Sequence, residues 1–116
     1  MTPASIPAGV RLCRLEEIAD PGARNFVLQL GEQRFVGFAV RKQGAVHGYV
    51  DRCPHAGNPL AMQLDQYLTA DATLIKCDWH GAGFRIADGV CVIGPCPGAR
   101  LTPWAVHEQD GWLVTG

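Results

Sequence analysis

Residues 52–57 read RCPHAG, and residues 76–81 read KCDWHG. Each stretch places a cysteine ahead of a histidine and ends on a glycine, so the chain carries the same kind of loop twice. Thiolates and imidazoles are ligands that transition metals prefer, and the set here is Cys53, His55, Cys77 and His80. The chain has five cysteines, an odd number, which in a reducing compartment favours metal ligands or core thiols over a disulfide framework. The pattern therefore predicts a metal site built by two loops.

Two kinds of centre could use these four side chains. A structural zinc site usually takes two ligands from each loop at C-x2-4-C or H-x3-5-H spacing. Here the first pair is C-x-H, which is tighter, and each loop mixes its ligand types. If two cysteines hold one iron and two histidines hold another, each loop has to reach two metals, and mixed loops suit that arrangement. Colour and metal analysis would separate the zinc site from the binuclear one.

The sequence resembles the Rieske family, in whose [2Fe–2S] centre two histidines replace two cysteines on one iron. The resemblance rests on C-x-H at 53–55, on C-x2-H at 77–80 and on the glycines that follow, Gly57 and Gly81. It includes Gly94-Pro95, which is similar to the proline-containing loop that covers the cluster in this family. It extends from Val46 to the C-terminus.

The resemblance implies one [2Fe–2S] cluster per chain. Cys53 and Cys77 would hold the buried ferric iron, and His55 and His80 would hold an outer iron near the surface that becomes ferrous. The sulfurs of such a cluster need hydrogen-bond donors, and backbone amides approach them most closely where no side chain intervenes, as at Gly57, Gly81 and Gly83. Gly83 could equally be an ordinary turn glycine.

High-potential members of the family carry an extra cysteine in each loop, and a serine and a tyrosine that donate to sulfur. In this chain the corresponding positions hold Asn58, Trp79, Ala82 and Phe84. Without those donors we expect a reduction potential near the low end of the Rieske range, at about −150 mV. The resemblance is thus to soluble, low-potential Rieske ferredoxins that feed oxygenases.

Composition sets limits on partners and location. With ten Lys plus Arg against eleven Asp plus Glu, the net charge of −1 gives no electrostatic footprint for nucleic acid or an anionic membrane. No secretory signal and no stretch of about 18 apolar residues is visible, so we expect a cytoplasmic protein. We also expect a monomer, because no long unexplained apolar surface is apparent.

The chain of 116 residues predicts a single domain of mostly β structure, since 14 glycines and 8 prolines punctuate short apolar runs. The expected fold is all-β, a Rieske-type fold of antiparallel sheets. A sandwich-like base would occupy roughly 10–50 and 99–116, and a two-loop cluster-binding subdomain would occupy 51–98. The predicted strands are 10–15, 25–30, 34–41, 45–50, 73–76, 84–87, 90–93, 105–108 and 112–115. Residues 62–72 are expected to form a short helical turn or an irregular excursion.

Several other residues receive ordinary structural interpretations. We expect Trp79 to shield the cluster or pack beneath it, and Asp78 to add negative charge beside it. Residues 64–72, a surplus relative to the shortest ferredoxins, are expected to be an inert surface excursion, with a docking surface as the alternative. Cys13, and the pair Cys91 and Cys96, are expected to be buried thiols, with a second metal pair or a redox disulfide as the alternative for that pair. His47 and His107 are expected to be surface or satisfied strand histidines.

The predicted function is that of a one-electron carrier, which takes an electron from a reductase and passes it to a terminal partner such as an oxygenase. The alternative is a non-catalytic subunit or redox-sensing module whose cluster state controls partner binding. No nucleophile and base pair, no phosphate-binding glycine loop and no 2-His-1-carboxylate site is recognisable, so no catalytic residue is assigned. Any substrate chemistry is expected to take place on another protein.

Overall fold

The computed structural model describes residues 6–54, 57–79 and 81–116. In these ranges the chain forms ten strands and one 3-10 turn, Leu15–Glu17, which confirms the all-β prediction. The strands are β1 (Arg11–Arg14), β2 (Gly22–Leu30), β3 (Gln33–Lys42), β4 (Ala45–Val50), β5 (Leu74–Lys76), β6 (Gly83–Arg85), β7 (Cys91–Ile93), β8 (Pro103–Trp104), β9 (Val106–Gln109) and β10 (Trp112–Thr115). No helix in these ranges has the length and apolar character needed to cross a bilayer.

The strands form three antiparallel sheets. The first has the order β1-β10-β9, the second β2-β3-β4-β8, and the third β5-β6-β7. In the second sheet β2 and β3 pair along their whole length, from Gly22 opposite Arg41 to Leu30 opposite Gln33. The tight turn between β3 and β4 lets β4 pair back on β3 from Lys42 and Ala45 onward. Antiparallel neighbours joined by short turns are the meander that the turn residues predicted.

Strand β3 contributes side chains to both hydrophobic cores of the protein. Successive side chains of a strand point to opposite faces, and both faces of β3 are buried. Phe38 and Val40 pack into one core, which we call the loop-side core, whereas Phe35 and Ala39 pack into the other, the base core. The loop-side core also contains Tyr49, Cys53, Leu60, Tyr67, Ile75, Cys77, Ala82, Phe84, Cys91 and Leu101. The base core also contains Cys13, Ile18, Phe26, Trp104 and Leu113.

The strand boundaries agree with the sequence-based prediction to within a few residues. β4 and β10 begin and end at the predicted residues, whereas β2 begins at Gly22, three residues earlier than expected. β8 was not predicted, because a strand of two residues, Pro103 and Trp104, has no alternating pattern to recognise. The division into a base and a cluster-binding subdomain stays a prediction.

Residues 62–72 contain no helix and are irregular, with one isolated bridge between Leu68 and Ile75 of β5. The expectation that 64–72 would be an inert excursion is wrong. Tyr67 is buried in the loop-side core, where its ring stacks on Phe38 at a centroid distance of 4.1 Å. The buried ring of Tyr67 therefore anchors this segment to the loop-side core.

Candidate metal centre

Two strands deliver the two candidate cysteines to the same core. β4 ends at Val50, three residues before Cys53, and β5 ends at Lys76, directly before Cys77. Each cysteine is only 1% exposed, and both belong to the loop-side core. The structure thus brings together the two predicted thiolate ligands although 23 residues separate them in the sequence.

The loops that begin at these cysteines fold in the same way. The amide of Gly57 donates to the carbonyl of Cys53 at 2.7 Å, and the amide of Gly81 donates to the carbonyl of Cys77 at 3.1 Å. In return, the amide of Cys53 donates to Asn58 O at 2.7 Å, and the amide of Cys77 donates to Ala82 O at 2.9 Å. The repeat seen in the sequence is therefore also a repeat of backbone geometry.

Glycine is needed at the same place in both loops. Gly57 has φ of 76° and Gly81 has φ of 70°, a left-handed conformation that residues with a β-carbon adopt at a cost of about 1–2 kcal/mol. Both glycines come four residues after their cysteine, although the histidine spacing differs by one residue between the loops. The cysteine-to-glycine spacing is thus the same in both loops, and this is the spacing that closes the turn.

The candidate histidine ligands, His55 and His80, lie outside the residues that the structure describes. The ligand set therefore stays a prediction, and among the described residues it is supported by the two buried cysteines. A Rieske-type cluster fits this chemistry, because two thiols that converge on one core, each in a closed turn, are the sulfur half of its ligand set. Across the described ranges, no three His, Cys, Asp or Glu side chains are grouped closely enough to hold a metal ion by themselves.

Hydrogen bonds between the two loops hold them together. The indole Nε1 of Trp79 donates to Pro59 O at 2.7 Å, and the amide of Asp78 donates to Leu60 O at 2.8 Å. The amide of Met62 donates to Asp78 Oδ2 at 2.9 Å. We call these three bonds the inter-loop clasp. Trp79 is 45% exposed: its polar edge joins the loops and much of its ring faces solvent. The expectation that it shields the cluster or packs beneath it stays a prediction.

Asp78 carries the negative charge that was expected beside the second cysteine, and this charge is paired rather than isolated. Its Oδ1 lies 2.5 Å from Lys76 Nζ. Burial acts to raise the pKa of the Asp78 carboxyl, but the hydrogen bonds from Lys76 and from the Met62 amide, with the charge of Lys76, outweigh it and leave the pKa below its usual range. The carboxylate is therefore ionised and balanced by the lysine beside it.

A second set of hydrogen bonds, made by the side chains of Asp51, Tyr67 and Asn25, supports the first loop. Asp51 accepts from the amide of Leu60 at 2.9 Å and from the hydroxyl of Tyr67 at 2.8 Å. The side-chain amide of Asn25, on β2, donates to Tyr67 Oη at 2.7 Å and to Asp51 Oδ2 at 3.2 Å. Asp65 Oδ1 in turn accepts from the backbone amide of Asn25 at 2.7 Å. The segment 64–72 is thus tied both to β2 and to the loop of Cys53.

These supporting residues were missed by sequence reasoning, and most of them carry no local signal. Tyr67 and Asn25 are 42 residues apart in the chain. Only Asp51 could have been suspected, because it lies two residues before Cys53. Burial is the largest cause that raises the pKa of Tyr67 above its usual range, with the nearby Asp51 charge adding to it. The hydroxyl therefore remains a donor to Asp51.

Residues 94–98, which follow β7 and which we call the covering segment, lie against the second loop. Gly94 has φ of 99°, and a β-carbon at this position would lie 2.8 Å from the Cα of Ala82. Only glycine allows so close an approach to the residue whose carbonyl accepts from Cys77. Ala82 and Phe84 are fully buried and apolar, so neither can supply the hydroxyl donor found in high-potential centres.

Of the remaining candidates, Cys13 and Cys91 are buried and the two histidines lie on strands, as expected, whereas Cys96 is only half-buried. Cys13 is buried in the base core, and burial raises the pKa of its thiol. His107 is exposed on β9, and its Nδ1 lies 2.7 Å from Gly116 O. His47 is half-buried on β4. Cys91 is buried in the loop-side core, and Cys96, half-buried, packs against that core.

Comparison with known proteins agrees with this architecture. Among solved structures, the fold is similar to the ferredoxin from Sphingomonas yanoikuyae B1, with 24% identity, a TM-score of 0.67 and coverage of 91% of this chain and 95% of that one. It is also similar to the ferredoxin of carbazole 1,9a-dioxygenase from Nocardioides aromaticivorans IC177, with 19% identity, a TM-score of 0.70 and coverage of 92% and 95%. A third match is a chain from a complex of reduced oxygenase and oxidized ferredoxin in carbazole 1,9a-dioxygenase, with 20% identity, a TM-score of 0.72 and coverage of 92% and 91%.

At these identities the structural matches show a shared fold. Among curated proteins, the sequence has no significant match. The family model for the Rieske [2Fe-2S] domain matches residues 9–108, which is most of the chain. The match includes both loops and the covering segment. The chain therefore belongs to the Rieske [2Fe-2S] domain family, and its cofactor is a Rieske-type [2Fe–2S] cluster.

Proposed function

We propose that this chain is a one-electron carrier whose cluster is held by Cys53, His55, Cys77 and His80. The observation that carries the proposal is the twin geometry of the two loops, which places two buried cysteines at matching positions in one core. When bound, the cluster supplies a site that gains and loses a single electron. The chain's own contribution is to hold the ligands rigidly, through the inter-loop clasp and through Asp51, and to exclude water from the cysteines.

The surface beside the loops suits a protein partner. Six large apolar side chains are exposed among the described residues, and five of them lie on the two loops, on the segment that follows the first loop or on β7 next to the covering segment. These five are Met62, Leu64, Trp79, Val92 and Ile93. Exposed large apolar side chains beside a functional site are candidate contacts for a protein partner. We therefore place the docking of both electron partners at this apolar rim.

The partners that we propose are a reductase as donor and an oxygenase as acceptor. Support comes from the family and from a similar structure, in which a ferredoxin is in complex with the oxygenase of carbazole 1,9a-dioxygenase. We assign no substrate chemistry to this chain and propose that it acts as a monomer in the cytoplasm. A compartment that keeps thiols reduced is consistent with five cysteines of which two are assigned to a cluster.

The cluster is tested first, by analysis of anaerobically purified protein. We expect two irons and two labile sulfides per chain and a rhombic paramagnetic signal after reduction with dithionite. Substitution of Cys53, His55, Cys77 or His80 by serine should abolish the signal, whereas Cys13→Ser and His107→Gln, which change the same residue types elsewhere, should retain it. A single zinc in colourless protein would overturn the assignment.

The carrier role is tested with the loaded protein and two partner proteins. We expect rapid one-electron reduction by a flavin-dependent ferredoxin reductase, followed by oxidation when a Rieske-type oxygenase is added. Introducing a negative charge at the rim, as in Leu64→Glu, should slow both steps and leave the spectrum unchanged, while Val27→Glu on β2 serves as the control. If electron exchange is slow but partner affinity changes with the redox state of the cluster, the chain is a sensor and the carrier proposal is wrong.

A further inference from the structure

Two thiols that take no part in the proposed ligand set lie in contact beside it. The Sγ of Cys96 donates to the Sγ of Cys91 at a distance of 3.2 Å. The Cys91 thiol is itself oriented by a hydrogen bond to Ile93 O at 3.3 Å. Because a disulfide bond is about 2.0 Å long, the two sulfurs need to approach by little more than about 1 Å to be joined.

The backbone already holds the two cysteines in place. The amide of Cys91 donates to Ala99 O at 2.8 Å, and the amide of Gly98 donates to Cys91 O at 3.2 Å. The amide of Ala99 donates to Cys96 O at 3.0 Å. The residues at both ends of the segment 91–96 are thus fixed against one turn, so ring closure requires movement of side chains and little of the main chain.

Such a ring would enclose residues 92–95 and so would include the start of the covering segment. It contains Gly94, whose backbone approaches Ala82 so closely that a β-carbon there would lie 2.8 Å from the Cα of Ala82. Ala82 O accepts the hydrogen bond from the amide of Cys77. A bond between Cys91 and Cys96 would therefore restrain a segment that lies directly on the second metal-binding loop.

We propose that Cys91 and Cys96 form a redox-active dithiol, which a low-molecular-weight disulfide oxidises to an intrachain disulfide that fastens the covering segment over the cluster loops. Ring closure is independent of the proposed electron-carrier function. The fastening effect rests on the cluster, and the two are measured separately.

The reaction balances as a thiol–disulfide exchange in two steps. Cys96 is the more exposed of the two cysteines, so its sulfur attacks the added disulfide, forms a mixed disulfide and releases one small thiol. The sulfur of Cys91 then attacks Cys96 Sγ, which forms the intrachain bond and releases the second small thiol. The two protein sulfurs lose two electrons, the added disulfide gains them, and the two thiol protons leave with the released thiols.

Burial of the Cys96 thiol is expected to slow this reaction without preventing it. Burial and then the neighbouring Cys91 sulfur raise the pKa of the Cys96 thiol to about 12. The thiolate is the attacking form and is scarce at neutral pH, so closure is expected on a scale of roughly minutes to hours. A competing role as purely structural core thiols predicts no closure in that time.

The sequence permits a direct test by mass spectrometry. Trypsin cleaves after Arg85 and Arg100, so one peptide, 86–100, contains both Cys91 and Cys96 and no other cysteine. The other three cysteines fall on separate peptides, 12–14, 53–76 and 77–85. Loaded protein is incubated anaerobically with glutathione disulfide for several hours, quenched in acid, denatured, alkylated with N-ethylmaleimide and digested. We expect peptide 86–100 to be unalkylated and lighter by two hydrogen atoms than its dithiol form, with the other cysteine peptides alkylated.

Two variants separate the steps. Cys91→Ser should trap glutathione on Cys96, whereas Cys96→Ser should leave Cys91 alkylated and without glutathione, and Cys13→Ser should close like the wild type. The proposal is overturned if peptide 86–100 remains doubly alkylated, carries two glutathiones or becomes linked to a peptide that contains Cys53 or Cys77.

The fastening effect has its own readout. The rate at which a chelator removes iron is compared before and after closure, and we expect closure to slow iron release several-fold in the wild type and to have no effect in Cys96→Ser. Equal rates, or faster release from the closed form, would show that the disulfide forms without fastening the covering segment.

Discussion

The indole nitrogen of Trp79 donates a hydrogen bond of 2.7 Å to the carbonyl oxygen of Pro59, and so joins the second cysteine loop to the first. Trp79 occupies the position that the resemblance to high-potential Rieske proteins assigns to a cross-linking cysteine. In this chain the covalent link is replaced by the inter-loop clasp, which includes the bonds that Asp78 makes to Leu60 and Met62. A clasp made of hydrogen bonds is weaker than a disulfide, and each of its bonds can be removed separately.

Replacing Trp79 by Phe removes the donor and keeps most of the ring. A hydrogen bond contributes about 0.5–1.5 kcal/mol, and at a half-exposed site we expect a loss of stability near the lower value. The more sensitive measurement is the rate of iron release to a chelator, which should rise because the loops separate more often. Trp112→Phe, on β10, is the matched control, and an equal rise in that variant would mean that the clasp has no specific role.

Replacing Tyr67 by Phe removes the hydroxyl that donates to Asp51 and accepts from Asn25. The stacking on Phe38 should survive, so the expected loss in the free energy of unfolding is about 1–3 kcal/mol, the cost of leaving a buried partner unsatisfied. Because Asp51 also holds the Leu60 amide, iron release should accelerate as well. In Tyr49→Phe, which removes a hydroxyl that donates to Ile86 O, stability should fall without faster iron release. The Asp51 network is unrelated to cluster retention if both variants release iron at the same rate.

Replacing Phe84 by Tyr supplies a hydroxyl at a position where high-potential relatives carry one. A neutral hydrogen bond contributes about 0.5–1.5 kcal/mol, so stabilisation of the reduced cluster by that amount raises a one-electron potential by roughly 20–60 mV. The midpoint is measured by a redox titration followed in the visible spectrum. Phe26→Tyr, in the base core, should leave it unchanged. A lower or unaltered potential in Phe84→Tyr would mean that residue 84 does not face the cluster sulfurs.

Alkaline pH should destabilise the protein through its two tyrosines. Burial, and then the charge of Asp88, raise the pKa of Tyr49 to about 12, and burial raises the pKa of Tyr67 above its usual range. Since the folded-state pKa values are higher than those of the unfolded chain, this stability is fully present below pH of about 10 and is lost as the pH rises toward the folded values. A difference titration of tyrosinate absorbance at pH of about 10 should show almost no ionisation in folded protein, but about half of the tyrosine ionised in denaturant. Tyrosinate that appears at pH of about 10 without unfolding would contradict this.

Local patterns in the sequence were sufficient for several features of the fold and site. The strands 45–50 and 112–115 are short, mainly apolar runs bounded by turn residues, and the structure has them at the predicted residues. The cysteine loops and the covering segment at Gly94 were also recognisable, because their spacing is set within a few residues of chain. Each of these features depends on neighbours in sequence.

Other features could not be read in this way. β8 exists only because β4 offers it an open edge, where Trp104 pairs with Gly48. The irregular segment 64–72 has no regular apolar pattern in sequence, and it is held by the stacking of Tyr67 on Phe38 and by hydrogen bonds to residues far away in the chain. The side chains of Trp79 and Asp78 could not be assigned to a clasp, since the acceptor and donor that they use belong to the backbone of the other loop.

The sequence by itself determined that two cysteine–histidine loops with glycine closures would be carried on a β fold, because turn closure and ligand chemistry are local properties of a few residues. Only the tertiary structure decided which side chains support those loops. Such contacts join residues that are far apart in the chain. The free energy of burying apolar surface depends on the area buried and not on how far apart the residues are in the sequence.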